Sequence, residues 1–204
     1  MTPGKRLLDI VLALVLAGVL AIPSAIIALV ILLRDGRPIL YPSKRMKAPG
    51  KSFTLWKFRT MAMADRDASV SGAYKTSRIT PTGHFLRRVR LDELPQLWNI
   101  LRGDMSFVGP RPPLPRFVRL CPEIYAEVLR NRPGVTGLAT LVFHKREEQL
   151  LAQCHTQAET DAVYLRRCVP AKARIDLMWA RNRTLCFDLA LIIATVRRVF
   201  AFRG

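Results

Sequence analysis

The sequence predicts an α+β fold, mainly α: an apolar N-terminal helix, a short β-hairpin and a set of amphipathic helices. Three observations predict it. An uncharged, almost wholly aliphatic run occupies Val11–Leu33. Two short segments, Ile39–Tyr41 and Phe53–Phe58, flank a Pro49-Gly50 turn and read as paired strands. Further along, apolar residues return at helical spacing in several stretches. The 204 residues suffice for one domain with a real core. Half of them are hydrophobic, which argues against disorder. The net charge of +18 implies anionic partners, whether nucleic acid, acidic lipid or phosphorylated substrate.

As a helix the Val11–Leu33 run measures about 35 Å, against a hydrocarbon core of ~30 Å. It is too long for a cleaved signal peptide, and no small-residue cleavage site follows it. Pro23, with Ser24 beside it, sits mid-run, where proline removes a backbone hydrogen bond and kinks or breaks a helix. Basic residues flank both ends, Lys5 and Arg6 before, Arg34 and Arg37 after. The positive-inside rule would therefore place both ends on the cytoplasmic side. Two readings stay open on these grounds: a kinked span, and a helix that breaks at Pro23 and returns to the face it came from.

Gly36-Arg37-Pro38 reads as a turn into the hairpin. Lys57 and Arg59 flank Phe58, and in a strand they share one face. Such a pair is more often a solvated charged edge than a phosphate contact. Ala62–Gly83 is polar and aperiodic, a loop with room for one helical turn and a candidate lid over a substrate.

Leu94, Leu97, Trp98 and Leu101 then recur at helical spacing, and Pro95 places the helix start around Asp92–Leu94. The plain role for Asp92 and Glu93 is to cap that helix. Their surroundings add a second role. Arg87, Arg88 and Arg90 precede them, and Arg111 follows in Gly109-Pro110-Arg111-Pro112-Pro113, where prolines limit the backbone. Two carboxylates among arginines suit a phosphate, a metal ion, or both.

Arg132-Pro133-Gly134-Val135-Thr136-Gly137 is another turn bearing an arginine. Lys145–Arg167 reads as a helix with Asp161 and Tyr164 on one face, and Ala171–Arg183 and Phe187–Phe200 as further amphipathic helices. The last carries Arg197, Arg198 and Arg203 beside an apolar face, and suits either the headgroup plane or ordinary core packing. The four cysteines and three histidines show no Cys-x-x-Cys or His-x-x-x-His spacing, which argues against zinc. No nucleic-acid motif is present, and a nucleic-acid binder would leave the apolar run unexplained.

Several motifs together resemble the bacterial sugar transferase family, the monotopic phosphoglycosyl transferases. They are Lys5-Arg6-Leu7-Leu8-Asp9, Lys57-Phe58-Arg59-Thr60-Met61, Leu91-Asp92-Glu93-Leu94-Pro95-Gln96-Leu97 with Asn99, Gly103–Pro112, and Arg132-Pro133-Gly134 with Thr136-Gly137, in the family's order. The resemblance covers essentially the whole chain. It implies transfer of a phospho-sugar from a UDP-sugar to a polyprenol phosphate such as undecaprenyl phosphate, with release of UMP, as the first step of glycoconjugate assembly. It implies a re-entrant membrane segment over residues 1–36 and a cytosolic catalytic domain over 37–204. The protein would be monotopic, on the cytoplasmic face of the bacterial inner membrane, in contact with anionic headgroups; homodimerisation is left open.

By position, Asp92 matches the nucleophile that forms an aspartyl phospho-sugar. Glu93 matches the neighbour that binds Mg2+. Arg87 and Arg111, with Lys57, Arg59 and Arg132, match or accompany the phosphate contacts, and Asp161 and Tyr164 match a C-terminal pair. The pattern departs at Ile22, where the family often has serine before the membrane proline (Ser24 follows it here), and at Thr140, where it commonly has glutamine.

Overall fold

The computed structural model describes residues 1–62 and 78–201. In chain order these form α1 (Pro3–Val19), α2 (Ala21–Arg34), β1 (Leu40–Ala48), β2 (Lys51–Phe58), α3 (Pro81–Arg88), a 3₁₀ turn (Leu91–Glu93), α4 (Gln96–Arg102) and β3 (Ser106–Val108). There follow α5 (Pro115–Leu120), α6 (Pro122–Val128), β4 (Gly134–Thr136), α7 (Leu138–Ala152), α8 (Gln157–Val163), a π-helical turn (Tyr164–Cys168), α9 (Val169–Asn182) and α10 (Leu185–Ala201). The mainly helical α+β expectation holds. Most of Ala62–Gly83 falls outside the described residues, as does Arg203. Of that stretch, Met61 and Ile79 form a bridge, and α3 starts at Pro81 behind a Thr80 cap.

α1 and α2 meet at an angle of 61°. The break falls at Leu20 (φ −95°, ψ 7°), one turn before the Pro23-Ser24 position expected from sequence. Proline acts on the turn behind it: Pro23 has no N–H for the Val19 carbonyl, and its ring crowds that carbonyl. α1 therefore ends at Val19, and Pro23 sits in the first turn of α2, where an N–H needs no helical partner. The Ser24 N–H donates to the Leu20 carbonyl at 2.9 Å. Among the described residues no single helix is long and apolar enough to cross a membrane, whereas the bent pair together has the length and composition.

The motif Lys5-Arg6-x-x-Asp9 binds α1 to the rest of the chain. Lys5, Asp9 and Ala13 lie four apart on one buried face, while Leu7, Val11, Leu14 and Val15 on other faces stay exposed. Lys5 forms a buried ion pair with Asp188 of α10, and Asp188 also accepts from the Trp179 indole at 2.9 Å. Arg6 donates to the carbonyls of Ile100 and Leu101 at 2.6 and 2.8 Å, closing the C-terminal end of α4. Asp9 accepts from the Ser106 hydroxyl and the Phe107 N–H at 3.1 and 3.2 Å. Lys5 and Arg6, expected as flanking charges of a membrane run, are thus internal connectors.

β1 and β2 form an antiparallel hairpin closed by Gly50 at φ 69°. β1 runs seven residues past the expected Tyr41, because Pro42 is tolerated where its missing N–H faces outward from the pair. Its Arg45 lies opposite Phe53, and Tyr41 opposite Lys57, so Arg45 and Lys57 share one face. Asn99 completes the outer edge of β2. Its amide oxygen accepts from the Trp56 N–H at 3.1 Å, and its amide nitrogen donates to the Thr54 carbonyl at 2.7 Å.

β3 and β4 form a short parallel pair. Glycine is required at its rim because backbones touch: a Cβ on Gly134 would lie 2.2 Å from the Gly109 nitrogen, and one on Gly109 would lie 2.3 Å from the Arg132 carbonyl oxygen. Gly134 N–H donates to the Pro110 carbonyl at 2.9 Å, so the turn that carries Arg111 is fastened at its base.

The single helix expected over Lys145–Arg167 is two, α7 and α8. The chain breaks after Ala152 and restarts behind Thr156, which forms a capping box with Glu159. α10 buries Asp188 and Leu191, while Leu189, Ile193 and Val196 are 40–52% exposed.

Candidate active site

Asp92 and Glu93 lie on the 3₁₀ turn, and α4 starts only at Gln96, after Pro95. The expected helix start at Asp92–Leu94 is therefore corrected: the pair precedes α4 and does not cap it. Arg90 just before them has φ 60°, an uncommon conformation for a non-glycine residue. It turns the guanidinium back onto its own neighbour.

Glu93 is the hub. Its Oε2 accepts from Arg90 at 2.5 Å; its Oε1 accepts from Lys57 at 3.2 Å and Arg111 at 3.5 Å. Each cation arrives on a different element: Lys57 on β2, Arg90 on the tight turn, Arg111 on the fastened Gly109-Pro110 turn. Burial alone would raise the Glu93 pKa, but Lys57, Arg90 and Arg111 hold it well below the usual carboxylate range. Burial conversely lowers Lys57. Arg111 is 39% exposed, so water weakens its share of this network.

Asp92 differs from its neighbour. It is 8% exposed and, among the described residues, its carboxylate accepts no hydrogen bond. Burial raises its pKa above the usual aspartate range; Glu93 adds to the rise, and Lys57, Arg90 and Arg87 oppose it. The two adjacent carboxylates thus have different surroundings: one is bound by three cations, and the other accepts no hydrogen bond among the described residues.

Arg45 stands on the far side of the same cleft, which is lined by Arg45, Lys57, Glu93, Gln96, Arg111 and Pro112. Arg45 donates to Ser43 Oγ at 3.1 Å and to the Pro112 carbonyl at 3.3 Å, and forms no ion pair among the described residues. Burial, then Arg111, lower its pKa to about 10. Three cations, Arg45, Lys57 and Arg111, line the cleft with Glu93 as its one carboxylate among the described residues, which suits an anion with more than one charge.

Of the residues singled out in sequence, Lys57 and Arg111 gather on Glu93. Arg87 donates to Thr60 Oγ1 at 2.8 Å and adds positive potential at Asp92. Tyr164 packs against Phe117 with ring centres 4.8 Å apart and planes tilted by 45°, with Lys172 over its ring, and its hydroxyl lies within electrostatic reach of Arg45 and Arg111. Asp161 is paired with Arg116 at 2.6 Å.

Two arginines serve elsewhere. Arg59 is buried and donates to the carbonyls of Asp35, Gly36 and Pro38 at 2.5–2.7 Å, where it satisfies the end of α2. Arg132 lies with Arg6 against Gly103 at the end of α4, in the field of Asp9 and Asp104. Neither of these two, expected as phosphate contacts, lines the cleft around Glu93.

Arg45 was not singled out; Arg90 was noted only as one of the arginines before the pair, and Gln96 only as part of a motif. Extending β1 past Pro42 would have put Arg45 on the Lys57 face. Nothing local separates Arg90 from Arg87 and Arg88, since its contact with Glu93 depends on its positive φ.

The sequence model of the bacterial sugar transferase family matches residues 2–202. The chain belongs to that family. It is 41% identical, over 94% of its length, to a UDP-glucose:undecaprenyl-phosphate glucose-1-phosphate transferase of Caulobacter vibrioides, of which it spans 68%. It is 33% identical to the enzyme of the same name from Escherichia coli, over 96% of this chain and 40% of that one. It is also 32% identical to the uncharacterised sugar transferase EpsL of Bacillus subtilis, over 98% of this chain and 89% of that one. The transferase therefore spans well under half of one of these relatives and nearly all of another.

The donor set of the cleft fits a hard cation of the Mg2+ type only together with substrate. Among the described residues no group of three acid, histidine or cysteine side chains converges. Mg2+, however, is commonly held by one or two carboxylates and completed by phosphate oxygens and water. The unengaged Asp92 carboxylate and the remaining acceptor direction of Glu93 Oε2 supply that kind of donor.

Proposed function

We propose that the transferase moves a phospho-sugar from a UDP-sugar to a polyprenol phosphate, undecaprenyl phosphate in the first instance, through a covalent intermediate on Asp92. The observation that supports this reading is the contrast within the carboxylate pair: Glu93 is held by three cations, and Asp92 beside it accepts no hydrogen bond among the described residues. The names of the relatives point to the same class of substrates.

In the first step an Asp92 oxygen attacks the phosphorus that bears the sugar. The bond from that phosphorus to the bridging oxygen breaks, and its electron pair leaves on UMP. In the second step a phosphate oxygen of the lipid attacks the same phosphorus and Asp92 leaves, giving polyprenol diphosphate sugar. Splitting one meeting of anions into two displacements is the advantage of a carboxylate nucleophile. Arg45, Arg87 and Arg111 face the phosphoryl oxygens and offset charge there. Glu93 keeps Lys57, Arg90 and Arg111 in place while substrate comes and goes. A bound Mg2+, held by Glu93, would neutralise diphosphate charge.

The bent α1–α2 pair is the re-entrant membrane segment, with both ends on the cytoplasmic side of the inner membrane. Connectors Lys5, Arg6 and Asp9 hold it to the catalytic part, so the cleft stays at headgroup level, where the lipid phosphate lies. Labelling cysteines placed at positions 2 and 37 in sealed vesicles reports both from one side; labelling from opposite sides would contradict re-entry.

UMP release measured with undecaprenyl phosphate and a panel of UDP-sugars tests the reaction. Activity with at least one donor is expected, and none with any donor would reject it. The pH profile of kcat/KM adds a sign. Asp92 must be ionised to attack and its pKa is raised, so the acid limb lies above the ordinary aspartate range. In Glu93→Gln the neighbouring anion is gone and Lys57 and Arg90 are released. Both changes favour ionised Asp92, so the acid limb of residual activity moves to lower pH.

A further inference from the structure

Gln96 opens α4 and lines the cleft together with Arg45, Lys57, Glu93 and Arg111. It is 3% exposed, and among the described residues its side-chain amide makes no hydrogen bond. A buried amide without a partner costs free energy, so one that persists points to a ligand or a catalytic role. Asn99, further along the same helix, shows the contrast. Its amide oxygen and nitrogen are both bonded to β2, at 3.1 and 2.7 Å, and they fix α4 against the hairpin. The helix is thus held in place while Gln96 on it has no partner. The backbone ahead of it is right-handed helical as well: a 3₁₀ turn carries the carboxylates, and Leu94 and Pro95 are αR. Helical spacing therefore sets Gln96 beside Asp92 and Glu93, at i+4 and i+3. The cleft offers its N–H nothing to bond. Arg45, Lys57 and Arg111 are donors only. Glu93 accepts from three cations, and the Pro112 carbonyl accepts from Arg45.

We infer that Gln96 is a further catalytic residue, whose amide N–H donates to a non-bridging oxygen of the sugar-bearing phosphorus during transfer. The inference rests on the function proposed above and adds a neutral donor beside the nucleophile. What the amide lacks is an acceptor, and a phosphoryl oxygen is one. Place agrees: the phosphorus that Asp92 attacks lies within reach of a side chain one helical turn on. The chemistry agrees as well. Charge gathers on the phosphoryl oxygens as the phosphorus becomes five-coordinate, and a donor fixed beforehand stabilises it without reorganising. A neutral N–H does so without competing with Glu93 for Lys57 or Arg111. No bond to Gln96 forms or breaks and no proton leaves it. Both displacements occur at one phosphorus, so the same hydrogen bond serves each of them.

The test uses the full chain in nanodiscs. Gln96→Met keeps the length of the side chain and removes the donor. The rate of the UMP burst without acceptor should fall on the order of 10²-fold, as when one such donor is removed from other sites. The UDP-sugar concentration for half-maximal rate should change by no more than about threefold, because the bond tightens in the transition state. Discharge onto polyprenol phosphate should slow by a similar factor. Gln96→Glu, equal in size and without the N–H when ionised, is the second variant and should slow both steps as well. Gln96→Met should melt no lower than the parent, since no hydrogen bond is lost. A lowered melting temperature alongside the slower burst would make Gln96 structural and overturn the inference. An unchanged burst in both variants would overturn it and leave the reaction standing. A readout independent of turnover accompanies these: orthovanadate, which takes the five-coordinate geometry of phosphorus in flight, should bind Gln96→Met about tenfold or more weakly than the parent. Equal vanadate affinity in the two chains would overturn the inference. Weaker vanadate binding, with no UMP released by the parent from any donor, overturns the reaction and leaves Gln96 as a contact of the phosphoryl site.

Discussion

Asp92→Asn should abolish UMP release, with a loss on the order of 10⁴-fold or more, as when other covalent nucleophiles are removed. The same chain should melt no lower than the parent. The amide matches the carboxylate in size, and Asp92 gives up no hydrogen bond on substitution, since its carboxylate accepts none among the described residues. The electrostatic sign points the same way. Burial raises the Asp92 pKa, so folding favours the protonated form, and the ionised group at neutral pH costs stability that an amide does not. Loss of activity together with a lowered melting temperature would mean that Asp92 is structural. Full activity in a folded variant would remove it from the mechanism.

Asp188→Ala is the largest expected effect on stability, about 3–5 kcal/mol, the usual cost of removing one partner of a buried ion pair. Lys5 and Asp188 have side chains 8% and 3% exposed, so water does little to screen the ammonium left behind. The Trp179 N–H loses its acceptor in the same change. The pair joins the first helix of the chain to the last, and losing it frees α1 from α10. The melting temperature should fall by many degrees. The double variant Lys5→Met/Asp188→Leu should recover much of the loss, because two apolar groups leave no charge unpaired. A single variant within 1 kcal/mol of the parent would show that the pair contributes little to holding α1.

The legible parts of the fold were those written in local chemistry. The aliphatic run, the Pro-Gly turn and the helical spacing of α9 and α10 each depend on near neighbours, and each appears about where expected. The bend between α1 and α2 was less legible, because proline disturbs the turn behind it and moved the break from Pro23 to Leu20. β1 was cut short at Pro42 for the opposite reason: the proline there is tolerated by an outward-facing edge that only the paired strand defines.

The carboxylate pair stood out from its arginine-rich surroundings, and Lys57 and Arg111 do reach it. Arg59 and Arg132 looked equally suitable in sequence. Their guanidiniums instead lie at the ends of α2 and α4, a choice made by tertiary contacts that residue type does not encode. Arg90 reaches Glu93 by a positive φ and Arg45 enters the cleft by strand register, and neither is a property of a short motif. Lys5, Arg6 and Asp9 carried a recognisable pattern without a visible reason, and the reason lies far along the chain, 94 and 97 residues away for Ile100 and Ser106 and 183 for Asp188.

The most direct test of the covalent route is the intact mass of the enzyme after mixing with its UDP-sugar donor in the absence of lipid. The account predicts one phospho-sugar added per chain, mapped to the peptide that carries Asp92 and discharged on adding polyprenol phosphate. UMP released only when lipid is present, with no adduct at any time, would contradict it, as would an adduct on any residue other than Asp92.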